Sequence, residues 1–177
     1  MAADLAALLN RYERPLVRYA LSIVGDLESA RDVVQDTFIR YTRDEGAPRD
    51  DEKHVEAWLF TVCRHRAIDH QRKFSRIVAM PVPEDRPDPE PGPAALAESR
   101  DTERSLLRLL DHLTPNQRDV IRLKFQNDLS YQEIADVTKL TATNVGFLLH
   151  TGLKKLRALV IEQPDFCDLP IRLTSLP

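Results

Sequence analysis

Residues 113–157 read LTPNQRDVIRLKFQNDLSYQEIADVTKLTATNVGFLLHTGLKKLR, and the punctuation of this stretch decides the fold. Thr114-Pro115 places a capping hydroxyl before a proline at the first helical position, where a missing N–H costs nothing. Val120, Ile121, Leu123 and Phe125 follow, and Asn127-Asp128 breaks the run. Ser130-Tyr131-Gln132-Glu133 is a capping box, in which the hydroxyl takes the Glu133 amide and the carboxylate reaches back. Ile134, Ala135 and Val137 give a short helix its apolar stripe. Thr141 then caps a third helix, from Ala142 to about Val160, with Val145, Leu148, Leu149, Leu153, Leu156 and Leu159 on one side. A short helix, a tight turn and a longer helix form the motif that lays a helix in a DNA major groove.

Outward from that segment the chain stays helical. In the amino-terminal part, Leu5, Leu8, Leu9, Tyr12, Leu16, Tyr19 and Ile23 predict a helix over 4–24, stopped by Gly25. Ala30, Val33, Val34, Thr37, Phe38 and Tyr41 predict a second over 27–43. After a polar loop, 44–53, a third is expected from His54 to Ser75, with Val55, Trp58, Leu59 and Val62 on one face. Between the two helical parts, Pro81, Pro83, Pro87, Pro89, Pro91 and Pro93 fall in one acidic stretch with Gly92. Proline at nearly every second residue forbids helix and central strand alike, which leaves an extended, semi-stiff connector. The expected fold is all-α: two small helical domains joined by a Pro-rich linker, the C-terminal one a helix-turn-helix. The bounds are 1–78, a linker at 79–95, 96–162, and a tail at 163–177 whose role the residues do not give.

With 177 residues and a net charge of −3, the chain is no uniformly basic nucleic-acid coat. Charge is unevenly placed, however, and local fields decide whether a polyanion docks. From Arg64 to Arg76 the cations Arg64, Arg66, Arg72, Lys73 and Arg76 are opposed only by Asp69. Residues 84–98 are acidic. The third helix is therefore apolar in its first turns and cationic in its last, a division suited to gripping the body at one end and phosphates at the other. The only cysteines are Cys63 and Cys167, which points to a reduced, cytoplasmic protein rather than a disulfide scaffold. The start lacks a basic segment followed by an apolar run, and no stretch nears the roughly 20 apolar residues that span a bilayer. No membrane insertion is expected. Cys63, His65 and His70 share a helix but do not converge on one metal, and no glycine-rich phosphate loop is present. No metal, no cofactor and no enzymatic activity are expected.

Several motifs in fixed order carry a resemblance. Asp32-Val33-Val34-Gln35-Asp36-Thr37-Phe38, then Ala57-Trp58-Leu59-Phe60 and Ala67-Ile68-Asp69, then Leu113-Thr114-Pro115-Asn116-Gln117-Arg118 and Leu129-Ser130-Tyr131-Gln132-Glu133-Ile134-Ala135, resemble successive signatures of the extracytoplasmic-function sigma factors of bacterial RNA polymerase. The likeness runs from Tyr12 to Arg157. It implies a non-catalytic factor that binds core RNA polymerase, recognises promoter DNA and is sequestered by an anti-sigma factor. By the same resemblance Asp32, Gln35, Asp36, Thr37 and Phe38 contact the polymerase. Arg49, Lys53, His54, Arg64, His65, Arg66, Arg72 and Lys73 hold the melted downstream element. His65 stands where the family usually has Asn. Trp58 lies on the apolar face, so burial rather than base stacking is expected of it.

For the upstream element the candidates are Thr141, Thr143, Asn144, Phe147, His150, Lys154 and Lys155. Here the chain departs from the pattern: Gly146, Phe147, Leu148, Thr151 and Leu153 stand where the family carries cations. Lys139 also replaces the usual glycine of the turn, and would be strained at positive φ. Two other readings compete. One is a sigma-like decoy that binds an anti-sigma factor without recognising promoters, using Phe147 and Leu148 as a partner surface. The other is an ordinary helix-turn-helix regulator that binds duplex DNA without polymerase.

Overall fold

The structure is a computed structural model and describes residues 2–49, 51–78 and 109–162. The proline stretch at 79–95 and the tail at 163–177 lie outside the described residues. Among the described residues six helices are delimited: α1 (Ala2–Val24), α2 (Leu27–Arg43), α3 (Glu52–Val78), α4 (Pro115–Asn127), α5 (Tyr131–Thr138) and α6 (Ala142–Glu162). Among the described residues there is no strand, as the periodicity predicts. The bounds of α2 agree with the expectation, while α3 starts two residues before His54 and ends three beyond Ser75. Spatial clustering gives two compact units. One joins the described amino-terminal residues to Arg122–Val145, and the other joins 109–121 to 146–162. This partition crosses the boundary that the proline stretch suggests.

In the first unit, α1, α2 and α3 pack against one another. Their shared core is Leu16 and Tyr19 from α1, Val33, Val34 and Phe38 from α2, and Leu59, Phe60 and Cys63 from α3, all buried. Each such large apolar side chain contributes about 1.5–3 kcal/mol on leaving water. Tyr19 and Phe60 meet edge to face with centroids 5.5 Å apart, a favoured aromatic geometry. Gly25, at φ +92°, ends α1. Asp26 then caps α2 by accepting the Ser29 amide at 2.8 Å. The Cys63 thiol is fully enclosed, and burial pushes its pKa up to about 12. It is therefore a neutral core group.

The same unit seats α5 on α3. Arg122 is 8% exposed and its Nη1 donates to the Ser22 carbonyl at 3.0 Å; Arg18 donates to the Gln126 carbonyl. Ser22 lies in the last turn of α1, where carbonyls lack helical partners and a cation is welcome. Glu56, on α3, is half-buried. Burial first, and then the nearby carboxylate of Glu133, raise its pKa above the ordinary glutamate value; Glu52 and Asp128 add to this and Arg11 opposes it.

The capping box forms as the sequence predicts: Glu133 N–H donates to Ser130 Oγ at 3.3 Å, and Ser130 N–H donates to Glu133 Oε2 at 2.6 Å. Lys139 does occupy the left-handed region, at φ 59° and ψ 35°, as the C-cap of α5. Asp128, in the preceding turn, has φ 53°. In the second unit, α6 approaches α4 closely at Gly152. A Cβ there would stand 2.9 Å from Ile121 Cδ1, so a larger residue would require the isoleucine tip to move. Gln117 Nε2 donates to Thr151 Oγ1 at 3.1 Å beside it.

Two stability measurements follow from these sites. Lys139→Gly removes left-handed strain of about 1–2 kcal/mol against an entropy cost of about 0.5–1 kcal/mol, so urea unfolding should show a net gain of up to about 1.5 kcal/mol. For Glu56 the folded pKa lies above the unfolded one, so the folded state holds the proton more tightly. Its contribution is present below the unfolded pKa and is lost as pH rises through the folded one. Glu56→Gln should therefore stabilise the chain at pH 7, with the gain shrinking towards pH 4. A gain that grows on acidification contradicts the assignment.

Candidate nucleic-acid interface

Tyr41, near the end of α2, organises the loop that leads into α3. Its ring is buried, and its hydroxyl donates to the Pro48 carbonyl at 3.0 Å. The Arg49 guanidinium lies over the ring face, 4.6 Å from the centroid. Arg49 Nη2 also donates to the Tyr41 and Asp44 carbonyls at 2.9 and 3.2 Å. Asp44 Oδ1 accepts the Gly46 amide at 2.9 Å, and Ala47 is buried beneath. Arg49, expected from the sequence as a DNA contact, is thus the clasp of this loop. Lys53 and His54, at the start of α3, are exposed, and His54 Nδ1 lies 3.1 Å from Asp51 Oδ2.

Beside the loop is an open groove of about 510 Å³, lined by Asp36, Ile39, Arg40, Arg43 and Asp44 with Trp58, Val62 and Arg66. Trp58 is only half-buried, with its edge on the Tyr41 ring at 5.5 Å. Its apolar-face position had suggested full burial, yet one side of the indole lines the groove. Arg40 and Arg43 were not singled out from the sequence, where they read as helix-end cations; their i, i+3 spacing beside an aromatic was the available signal. Farther along α3, Arg64 and Arg66 are half-buried, while His65, Arg72 and Lys73 are exposed. Arg66 pairs with Asp36 across α2 and α3. A proposed DNA contact and a proposed polymerase contact are therefore bound to each other.

The polymerase candidates divide. Asp32 and Gln35 are exposed on α2. Thr37 is fully buried, its hydroxyl donating to the Val33 carbonyl at 2.8 Å, and Phe38 is 6% exposed. Neither can serve as a free anchor, because helical periodicity turns both towards α1 and α3. Phe38 does form part of a second groove, of about 520 Å³, with Leu5, Leu9 and Val17 of α1 and Asp32, Gln35 and Ile39 of α2.

On α6, Thr141, Thr143, Asn144, Phe147 and His150 are exposed, Phe147 to 64%. Thr141 Oγ1 accepts the Asn144 amide at 3.2 Å, as the expected cap. Lys154 is exposed, and Lys155 donates to the His112 carbonyl. Leu148 is half-buried.

Residues 8–77 match Sigma-70 region 2 and residues 103–156 match Sigma-70, region 4. The chain is 31% identical to the ECF RNA polymerase sigma factor SigL of Mycobacterium tuberculosis, strain H37Rv, over 91% of both chains. It is 32% identical to SigX of Bacillus subtilis, strain 168, over 85% of this chain and 80% of that one. Among solved structures, the Bartonella quintana sigma factor RpoE, in complex with the anti-sigma factor NepR, superposes with a TM-score of 0.70 at 22% identity, covering 89% of this chain and 97% of that one. CnrH in complex with the cytosolic domain of CnrY gives 0.65 at 22%, covering 90% and 88%. The chain belongs to the ECF sigma factors of the sigma-70 family.

The clasp makes its own prediction. A cation over an aromatic ring contributes about 0.5–1 kcal/mol, and charged hydrogen bonds about 1.5–3 kcal/mol each. Arg49→Ala should therefore speed amide hydrogen exchange at Gly46 and Ala47 at least tenfold while leaving the core amides of α1 protected. Unchanged exchange in the loop contradicts the clasp.

Proposed function

We propose that the chain binds core RNA polymerase and directs it to promoters, with α3 and the loop before it holding the melted downstream element and α6 reading the upstream one. The observation that carries this is the cationic groove around Trp58, beside a loop fastened by Arg49, within a region 2 match. Three guanidiniums, partly offset by Asp36 and Asp44, beside a half-exposed indole offer a single strand both charge and a stacking surface. Base–aromatic stacking contributes about 1–3 kcal/mol per base, enough to offset part of the few kcal/mol that unstacking a step costs. Phosphates along the strand continue past the groove to Arg72 and Lys73, both exposed.

Polymerase docks along the neighbouring face of α2, where Asp32 and Gln35 rim the groove floored by Phe38. An apolar floor with a polar rim suits an amphipathic helix from the partner. An anti-sigma factor sequesters the chain, as the two partner-bound relatives suggest. Phosphodiester chemistry belongs to the polymerase; this chain supplies its address.

Run-off transcription from a genomic promoter library, with purified core polymerase and this chain, tests the function. Start sites sharing two spaced elements are expected. Tight polymerase binding with no promoter-dependent product favours the decoy reading. Charge reversal is informative at Arg72 and Lys73, because Arg66→Glu would set two acids together at Asp36. Arg72→Glu with Lys73→Glu should prevent promoter opening and lower the salt slope of strand binding by about 1.4, at about 0.7 per lost contact. An unchanged slope removes both residues from the interface.

A further inference from the structure

We infer that the head of α6 reads adjacent A·T base pairs, with Phe147 seated against a thymine methyl and Asn144 paired to adenine. The inference rests on the proposed role of α6 as the helix that enters the major groove, and it assigns that helix a base code.

Guanine is normally read by Arg or Lys through O6 and N7. From Ala142 to Leu153 this helix has no cation. The first, Lys154, lies ten positions beyond Asn144, about 15 Å along the axis. That exceeds the roughly 12 Å width of the groove, so Lys154 meets phosphates rather than the base edges at the head. The next cation, Lys155, is held at the His112 carbonyl.

What the head does expose is a different set. At 100° per residue, Thr143, Asn144, Phe147 and His150 fall within an arc of about 120°, and all four are exposed. Val145, Leu149 and Gly152, on the other side, are buried, so the arc faces away from the body. Thr151 does not join it: its hydroxyl donates to the Phe147 carbonyl at 2.9 Å and accepts from Gln117 at 3.1 Å. Gly146 offers no side chain.

Of these groups Phe147 is decisive. A benzyl side chain 64% exposed in the middle of a helix gains by leaving water. The one apolar group displayed by base edges in the major groove is the C5-methyl of thymine. Guanine and cytosine edges would be desolvated by the ring without return. Asn144 supplies the complementary polar contact, since a carboxamide matches N6 and N7 of adenine. The two residues are separated by about 4.5 Å along the helix axis, close to one base step of about 3.4 Å. Neighbouring A·T pairs are the target that fits both, and the later cations Lys154 and Arg157, both exposed, face the phosphates.

The test uses holoenzyme assembled from this chain and core polymerase, with promoter duplexes randomised over the upstream element. Selection should return an A·T step there. Replacing each selected thymine by deoxyuridine removes only the methyl. At one position this should weaken binding about fourfold, the equivalent of about 0.8 kcal/mol for one buried carbon. Phe147→Ser should abolish that sensitivity, and Asn144→Ala should flatten the adenine preference next to it. A G·C element, or wild-type binding indifferent to deoxyuridine throughout, overturns the inference while leaving promoter use intact. So does a Phe147→Ser chain that keeps the same element and methyl sensitivity but no longer binds a protein partner, which would make the ring a protein contact. Failure of any library member to support transcription refutes the proposed function itself.

Discussion

One aromatic ring carries the geometry on which the downstream interface depends. Tyr41 is fastened by three contacts: the Pro48 carbonyl accepts from its hydroxyl, Arg49 covers its face, and Trp58 packs against it in a T-shaped pair. Each contact alone contributes about 0.5–1.5 kcal/mol. Together they fix the end of α2, the loop and the start of α3 relative to one another. The groove is a by-product of that fixation, because Trp58 cannot sink into the core while it rests on Tyr41. A ring held at the boundary of the core is at once a packing group and a wall of the site.

Electrostatics then explain how a chain of net charge −3 can address a polyanion. The cations of α2 and α3 gather on the groove and along the end of α3, whereas Glu52, Glu56, Asp128 and Glu133 gather where α5 meets α3. The groove face carries a small excess of cations and the other face an excess of carboxylates, so the local potential differs from the average. The Asp36–Arg66 pair ties α2 to α3 between the groove and the polymerase-facing residues. Such a half-exposed pair adds little stability; its importance is to keep Arg66 oriented along the groove.

The helical fold was legible because its signals are local. The capping box at Ser130 and Glu133, the cap at Thr141 and the stop at Gly25 depend only on neighbours a few residues away, and all three formed. The strain expected at Lys139 was readable for the same reason. Less was legible where tertiary contact decides. Thr37 and Phe38 carry family signatures, but only the packing of α1 and α3 reveals that both are covered. Arg49 looked like a loop cation free to reach DNA until Tyr41 came under it. Trp58 differed for a subtler reason: helical periodicity gives a direction but not a depth, and depth separates a core indole from a groove wall. The recruitment of Arg122–Val145 into the unit built by α1, α2 and α3 had no signal in the sequence, since Arg122 looks like any surface arginine of an amphipathic helix.

Because Trp58 is the only tryptophan of the chain, the central claim has a direct reporter. The chain can be made with 5-hydroxytryptophan at this position and assembled with unlabelled core polymerase, so that selective excitation sees one indole in the whole holoenzyme. The account predicts that its emission changes as the promoter melts, with the same rate as strand separation, and that Arg43→Glu suppresses the change. An indole whose emission ignores promoter opening would contradict the placement of the separated strand in this groove.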